Sequence, residues 1–252
     1  MNSSVLVIKK DEVTSTNDIL KEMAGYHPED NVVVAAKRQT GGRGRNGRRF
    51  ESPSGGLYFS ILLHPAVSSE KVSWLTAAMA SAVCEAVREL TGEDAGIKWI
   101  NDIYVSGRKV CGILTEGRFK PDGTLEYAIV GTGINIEEPD GGYPDEIKDV
   151  AGALFKHGDA PAGFGDRLLE KICDAFFSYS EQLDKKPWLN LYRKRSIVVG
   201  KGIKVVESIT DPDSFYTAYA EGIDDDFGLV IRKNDGSRAV LSTGEVSIRV
   251  LG

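Results

Sequence analysis

The sequence predicts an α+β fold, a mixed or mostly antiparallel sheet with helices, followed by a small β-barrel. Three observations lead there. Apolar residues at helical spacing mark only a few helices, short strand-like runs joined by polar turns fill the stretch between them, and after residue 195 only short strands remain. The regular βα alternation of a Rossmann fold is missing.

In chain order, residues 5–8 form a short strand, and a polar turn leads to a helix from about Asn17 that Ser15 or Thr16 would cap. Strands follow at 31–36 and 57–63. Leu75, Met79, Val83, Ala86, Val87 and Leu90 recur at helical spacing and end before Gly92, an amphipathic helix with a glycine stop. Strands at 97–100, 103–105, 109–115 and 127–133 come next, with Ser106-Gly107 as a tight hairpin turn. Hairpin-linked strands with few helices imply a sheet covered on one face. Leu168, Ile172, Phe176, Tyr179 and Leu183 make a further helix, and 188–195 is helical. Beyond it, strands around 197–207, 215–223, 228–233 and 238–250 are separated by turns such as Thr210-Asp211-Pro212-Asp213 and Asn234-Asp235-Gly236. The division expected is a main domain over 1–195 and a barrel over 196–252.

At 252 residues, with 41% hydrophobic and 27% charged side chains, the chain can bury a full core. Its net charge of −6 repels nucleic acid as a whole. Cys84, Cys111 and Cys173 stand singly in apolar stretches, which suits a reducing cytosol rather than a disulfide framework, so a cytoplasmic location is expected. His27, His64 and His157 share no metal-ligand spacing, and no protein metal cluster is expected. The first ten residues lack a signal peptide's apolar core, and no stretch approaches the ~20 apolar residues of a membrane helix.

Against that background residues 37–49, KRQTGGRGRNGRR, place six cations and four glycines in thirteen residues without an acid. Guanidinium forks pair with phosphoryl oxygens, and glycines let backbone come close to a ligand. Alone, the run reads equally as a nucleic-acid patch or a solvated loop. Downstream stand Lys98-Trp99-Ile100-Asn101-Asp102, then Lys109 and Gly112, then Gly131-Thr132-Gly133-Ile134-Asn135. Activating a carboxylic acid with ATP brings two anions together, which arginines, a lysine and Mg²⁺ make tolerable. A loop that closes over them also excludes the water that would hydrolyse a mixed anhydride. Gly112, Gly131 and Gly133 interrupt strands, where glycine is costly unless something must lie close, and a flat bicyclic ring on the sheet would suffice.

This ordered set, with Ser15-Thr16-Asn17, resembles biotin protein ligase from Val13 to Arg249. The resemblance implies a class II synthetase-like catalytic domain, an SH3-like barrel, and a short form without an N-terminal DNA-binding domain. It implies that biotin and ATP give biotinyl-5′-AMP, and that biotin then passes to a lysine of a biotin carboxyl carrier protein or domain. ATP and Mg²⁺ are the implied cofactors, biotin and the carrier the partners, and a homodimer is common in the family. Neither DNA nor membrane is expected.

Residue by residue, the resemblance assigns Arg43, Arg45 and Arg48 to the loop over the acyl-adenylate, with Arg45 retaining the intermediate, and Gln39, Gly42 and Asn17 to biotin. Ser15 and Thr16 would offer a hydroxyl and an amide to the ureido ring, although capping accounts for them too. Gly112 and Gly131 join the biotin set. Lys109 is the implied catalytic lysine at the biotin carboxylate and α-phosphate; spacing alone reads it as an exposed hairpin lysine. Asn101 and Asp102 would face the nucleotide, Asp102 as base, orienter or Mg²⁺ ligand, and a plain Asx turn is the simpler reading of the pair. Phe50 takes an adenine-packing position that is usually tryptophan, or only packs, while Asn135 would read adenine. Glu245 and Arg249 would approach the phosphates from the barrel, or form a surface salt bridge. A lipoate ligase performs the same two steps, but its arginine-pair, glycine-triplet and His-Asp signature is absent.

Overall fold

The computed structural model describes residues 5–26, 31–65, 71–206 and 214–242, and the backbone of 245–248. Strands β1 (Leu6–Val13), β2 (Val32–Gln39), β3 (Gly56–Leu63), β4 (Gly96–Lys98), β5 (Asp102–Val105), β6 (Arg108–Phe119) and β7 (Leu125–Asn135) form one sheet in the order β1-β2-β3-β7-β6-β5-β4. Only β1 and β2 run parallel; the other pairs are antiparallel, so the sheet is mixed.

The sheet is covered on both faces, not one. Side chains alternate along each strand, so Val33, Phe59, Ile61 and Val130 join the apolar cluster that holds α2 (Val72–Thr91), while Val32, Val34, Leu62 and Ile129 cluster with Leu20 of α1 (Thr16–Met23) on the other side. Helix α1 is short and covers only part of its face, which leaves the glycine-bearing stretch of β6 and β7 beside it open to a cavity.

Helix α2 is buried almost all round rather than along one stripe. Its small residues, Ala77, Ala78, Ala80, Ala82 and Ala86, let α3 (Phe164–Ser180) and α4 (Leu189–Arg195) close on its outer side. Gly92 ends it as expected, at φ 77° with its N–H on the Arg88 carbonyl at 2.9 Å. Ser106 and Gly107, at φ 51° and 79°, make the predicted hairpin turn between β5 and β6.

Strands β8 (Gly202–Val206), β9 (Phe215–Ile223), β10 (Leu229–Lys233), β11 (Arg238–Leu241) and β12 (Glu245–Ile248) form a second, antiparallel sheet in the order β11-β10-β9-β8-β12. The single strand expected over 238–250 is two strands on opposite edges, because β12 crosses over to pair with β8. The turn at Thr210–Asp213 lies outside the described residues.

One apolar cluster runs from the first sheet into the second. At its centre Phe227, in the β9–β10 turn, stacks on Trp188 at 4.6 Å and meets Tyr192 edge-on, and its carbonyl accepts the Trp99 indole N–H at 2.7 Å. Tyr192 donates its hydroxyl to the Ile100 carbonyl at 3.0 Å. Residues 97–100 are therefore no full strand: β4 stops at Lys98, and the chain turns where these buried groups hold it.

Candidate active site

The floor of the cavity is set by strand register. Gly112 of β6 lies opposite Gly133 of β7, and Gly131 lies opposite Ser60 of β3, so these three glycines and Ser60 share the face that carries α1. A Cβ on Gly133 would come within 2.5 Å of the Phe50 ring, one on Gly112 within 2.9 Å of it, and one on Gly131 within 2.2 Å of Asn17 Oδ1. A Cβ at these positions would thus meet the protein's own Phe50 ring and Asn17 amide. The ring of Phe50 also meets Tyr58 edge-on at 6.5 Å.

At one end of this floor Ser15, Thr16 and Asn17 are buried at the start of α1. Ser15 occupies the N-cap position, but neither it nor Thr16 caps the helix with its side chain. Instead the Thr16 amide and hydroxyl both donate to Gln39 Oε1 of β2, at 2.9 and 3.1 Å. Ser60 Oγ stands 2.7 Å from Thr16 Oγ1 and donates to Asn17 Oδ1 at 2.5 Å. Asn17 Nδ2 donates to Glu116 Oε2 at 2.7 Å. The capping explanation therefore gives way to a buried polar network that joins α1, β2, β3 and β6.

The Gly/Arg run folds back on itself as a turn. Arg43 bridges to Arg49, Gly44 N–H donates to the Arg48 carbonyl at 2.7 Å, and Phe50 N–H to the Gly42 carbonyl at 3.0 Å. Asn46 and Gly47, at φ 61° and 73°, turn the tip. Gly42 does not line the cavity: its missing Cβ makes room for the Phe50 carbonyl and Ser52 Oγ, each 2.4 Å from where it would stand. Arg43 Nη2 reaches Asp18 Oδ1 at 2.6 Å and Glu116 Oε2 at 3.2 Å. Burial pushes the Glu116 carboxyl up, but hydrogen bonds from Lys21 and Asn17 and the charges of Arg43 and Lys21 outweigh it and hold it below its ordinary value.

At the other end Asn101 and Asp102 are held across the sheet. Asn101 Nδ2 donates to the Ile113 carbonyl at 2.9 Å, and its Oδ1 accepts from Arg45 Nη1 at 3.2 Å, so the side chain ties β6 to the arginine loop rather than closing an Asx turn. Lys109 is no exposed hairpin lysine: its Nζ stands 2.7 Å from Asp102 Oδ1 and 5.8 Å from the Phe50 ring centre, with 27% of the side chain exposed.

Together these groups line a cavity of ≈ 340 Å³. Arg43, Arg45, Arg48, Arg49, Lys98 and Lys109 face it and, among the described residues, Asp102 is the one carboxylate that lines it, which makes it a site for a polyanion. Ser15, Thr16, Asn17, Gln39, Phe50, Asn101, Gly112 and Gly131 line it too. Asn135 does not: it is buried, with Nδ2 on the Gly152 carbonyl at 2.9 Å. Glu245 falls on β12, and Arg249 lies outside the described residues. Sequence reading passed over Ser60 and Glu116, and gave Lys98 a place in a motif but no role. A small polar side chain inside the otherwise apolar and aromatic run of β3 was the available signal for Ser60; Glu116 left none. Among the described residues no group of three or more His, Cys, Asp or Glu could hold a metal ion, and no helix is long and apolar enough to cross a membrane.

Residues 10–135 match the pattern of the Biotin/lipoate A/B protein ligase family. The chain is 32% identical over 243 residues to the bifunctional ligase/repressor BirA of Bacillus subtilis, across 94% of this chain and 72% of that protein. It is 30% identical over 227 residues to the biotin–[acetyl-CoA-carboxylase] ligase of Paracoccus denitrificans, across 84% and 88%. In three dimensions it matches the biotin protein ligase from Aquifex aeolicus in complex with biotin and ATP, with a TM-score of 0.75 and 30% identity over 97% of this chain and 98% of that one.

Proposed function

Because the chain belongs to the Biotin/lipoate A/B protein ligase family, we propose that its cavity activates biotin with ATP and hands the biotinyl group to a lysine of a carboxylase carrier domain. The observation that carries this reading is the cavity itself, where a buried polar network at Thr16, Asn17 and Gln39 faces a cluster of cations across a glycine floor.

In the first step a biotin carboxylate oxygen attacks the α-phosphorus of ATP, the bond to the β-phosphate oxygen breaks, and pyrophosphate leaves. Lys109 and the loop arginines oppose the repulsion between the two anions and stabilise the charge that builds on phosphorus. In the second step the acceptor amine attacks the acyl carbon, loses a proton, and AMP leaves. Asp102, beside Lys109 at the cavity wall, would orient that amine and take up its proton. Arg45 and Arg48 cover the mixed anhydride between the two steps.

A Mg²⁺ carried by ATP fits this donor set, since such ions use one or two carboxylates plus phosphate oxygens, and Asp102 is the lining carboxylate that would hold it. The ion would neutralise phosphate charge. The reading also divides the chain into a catalytic part over 1–195 and a small β part over 196–252, and places the enzyme in the cytoplasm, where unpaired Cys84, Cys111 and Cys173 persist.

The test is incubation of the full chain with radiolabelled biotin, Mg·ATP and a carrier domain, with lipoate as competitor. Label should enter one carrier lysine and lipoate should not displace it. No transfer, or transfer of lipoate instead, would defeat the reading.

A further inference from the structure

Glu116 sits near the middle of β6 on the cavity face, 73 positions from Arg43 and 99 from Asn17, yet its carboxylate reaches both. Oε2 accepts from Asn17 Nδ2 at 2.7 Å and from Arg43 Nη2 at 3.2 Å, while Oε1 accepts from Lys21 Nζ at 2.7 Å. The same Arg43 nitrogen bonds Asp18 Oδ1 at 2.6 Å, and Lys21 lies 3.9 Å from that carboxylate oxygen. One acid thus joins a rigid strand, the first turns of α1 and the first arginine of the glycine-rich turn. Among the described residues, Gly44 through Gly47 have no comparable anchor to the sheet except the Arg45–Asn101 bond.

We propose that Glu116 is a positioning residue for the arginine loop, a clasp that holds Arg43 against α1 and so sets where the loop pivots over the cavity. It touches no reacting atom in this scheme. Its carboxylate holds Arg43 Nη2 and Asn17 Nδ2 on one oxygen, so the loop and the polar end of the cavity share a single support. Charge is needed as well as shape: the partners are one amide and two cations, and a neutral amide in its place would keep the first bond and weaken the other two.

The consequence for turnover rests on the ligase reading, but the clasp itself is tested without it. Limited trypsin digestion of the full-length chain reports how often the loop opens, through cuts after Arg43, Arg45, Arg48 and Arg49. Glu116→Gln should speed these cuts about fivefold and leave cuts elsewhere unchanged. In an Arg43→Ala background the same change should alter cuts after Arg45, Arg48 and Arg49 by less than about twofold, since the bond it breaks is already gone. No acceleration, or equal acceleration in both backgrounds, overturns the clasp. If Glu116→Gln is cut throughout because it fails to fold, Arg43→Gln breaks the bond from the other end and must show the same loop-confined acceleration. In turnover, Glu116→Gln should raise KM for biotin about fivefold with kcat within about twofold, and Glu116→Asp, which keeps the charge, should recover part of the loss. A wild-type chain without biotin-dependent pyrophosphate release defeats the ligase reading, and the digestion result still decides the clasp.

Discussion

Lys109 and Asp102 face each other across the β5–β6 hairpin with Nζ 2.7 Å from Oδ1, and 27% and 21% of their side chains are exposed. Breaking such a pair on one side strands the other charge where little water reaches it. Lys109→Ala should lower biotin-dependent pyrophosphate release at least about a hundredfold while far-UV circular dichroism stays unchanged. Release at the wild-type rate would remove Lys109 from the chemistry.

The contact between Phe50 and the glycine floor gives a second test. Gly133→Ala should destabilise the chain by about 1–3 kcal/mol, because the new Cβ would meet the ring within 2.5 Å. In a Phe50→Ala background that cost should largely vanish, which thermal denaturation of the four proteins would reveal. Equal losses in both backgrounds would mean that something other than the ring occupies the floor.

Ser60 Oγ donates to Asn17 Oδ1 and lies 2.7 Å from the Thr16 hydroxyl oxygen in one buried network. Ser60→Ala leaves Asn17 Oδ1 without its donor, at a cost of about 1–3 kcal/mol to that network. KM for biotin should rise about tenfold or more with kcat little altered, and steady-state kinetics with saturating ATP measure it. A change confined to kcat would place Ser60 in the chemical step instead.

Arg45 reaches from the loop to Asn101, beside Asp102. Arg45→Gly removes that bridge and, on the ligase reading, opens the cover over the mixed anhydride, so biotin should appear on lysines of an unrelated protein added as bystander. Western analysis with streptavidin reads it, and bystander labelling no higher than wild type would withdraw the role.

The Glu116 clasp also has a pH signature. Its carboxyl titrates below its ordinary value of 4.5 in the folded chain, so the stabilisation it supplies is complete above that unfolded value and is lost as pH falls through the lower folded one. The groups facing it are Asn17, Asp18, Lys21 and Arg43. Denaturant unfolding of wild type and Glu116→Gln should therefore give a stability difference at pH 7 that shrinks in acid below pH 4.5. A constant difference would deny that the carboxylate charge matters.

Much of this fold follows from local patterns. The glycine stop of α2 at Gly92 and the Ser106-Gly107 hairpin are decided within a few residues, by a positive φ that glycine accepts and by a two-residue turn whose twist suits its strands. Strand ends were harder: β6 runs on to Phe119, and 238–250 splits in two, because a partner strand and not propensity decides where pairing stops. The burial of α2 all round also comes from outside its own sequence, from α3 and α4.

For the site, the sequence by itself determined the chemical inventory: cations and glycines in one run, a lysine past a hairpin, an Asn-Asp pair and glycines inside strands, enough to name the class of reaction. Tertiary structure alone decided which of these groups meet. It set Phe50 and Asn17 upon the glycines, took Gly42 and Asn135 out of the cavity wall, and joined Ser60 and Glu116 to the polar network around Asn17. The reason is register. Ser60 and Glu116 come beneath Asn17 and Arg43 because β3, β7 and β6 pair in one alignment that turns alternate side chains to the face carrying α1, and a slip of a single residue would send both to the opposite face.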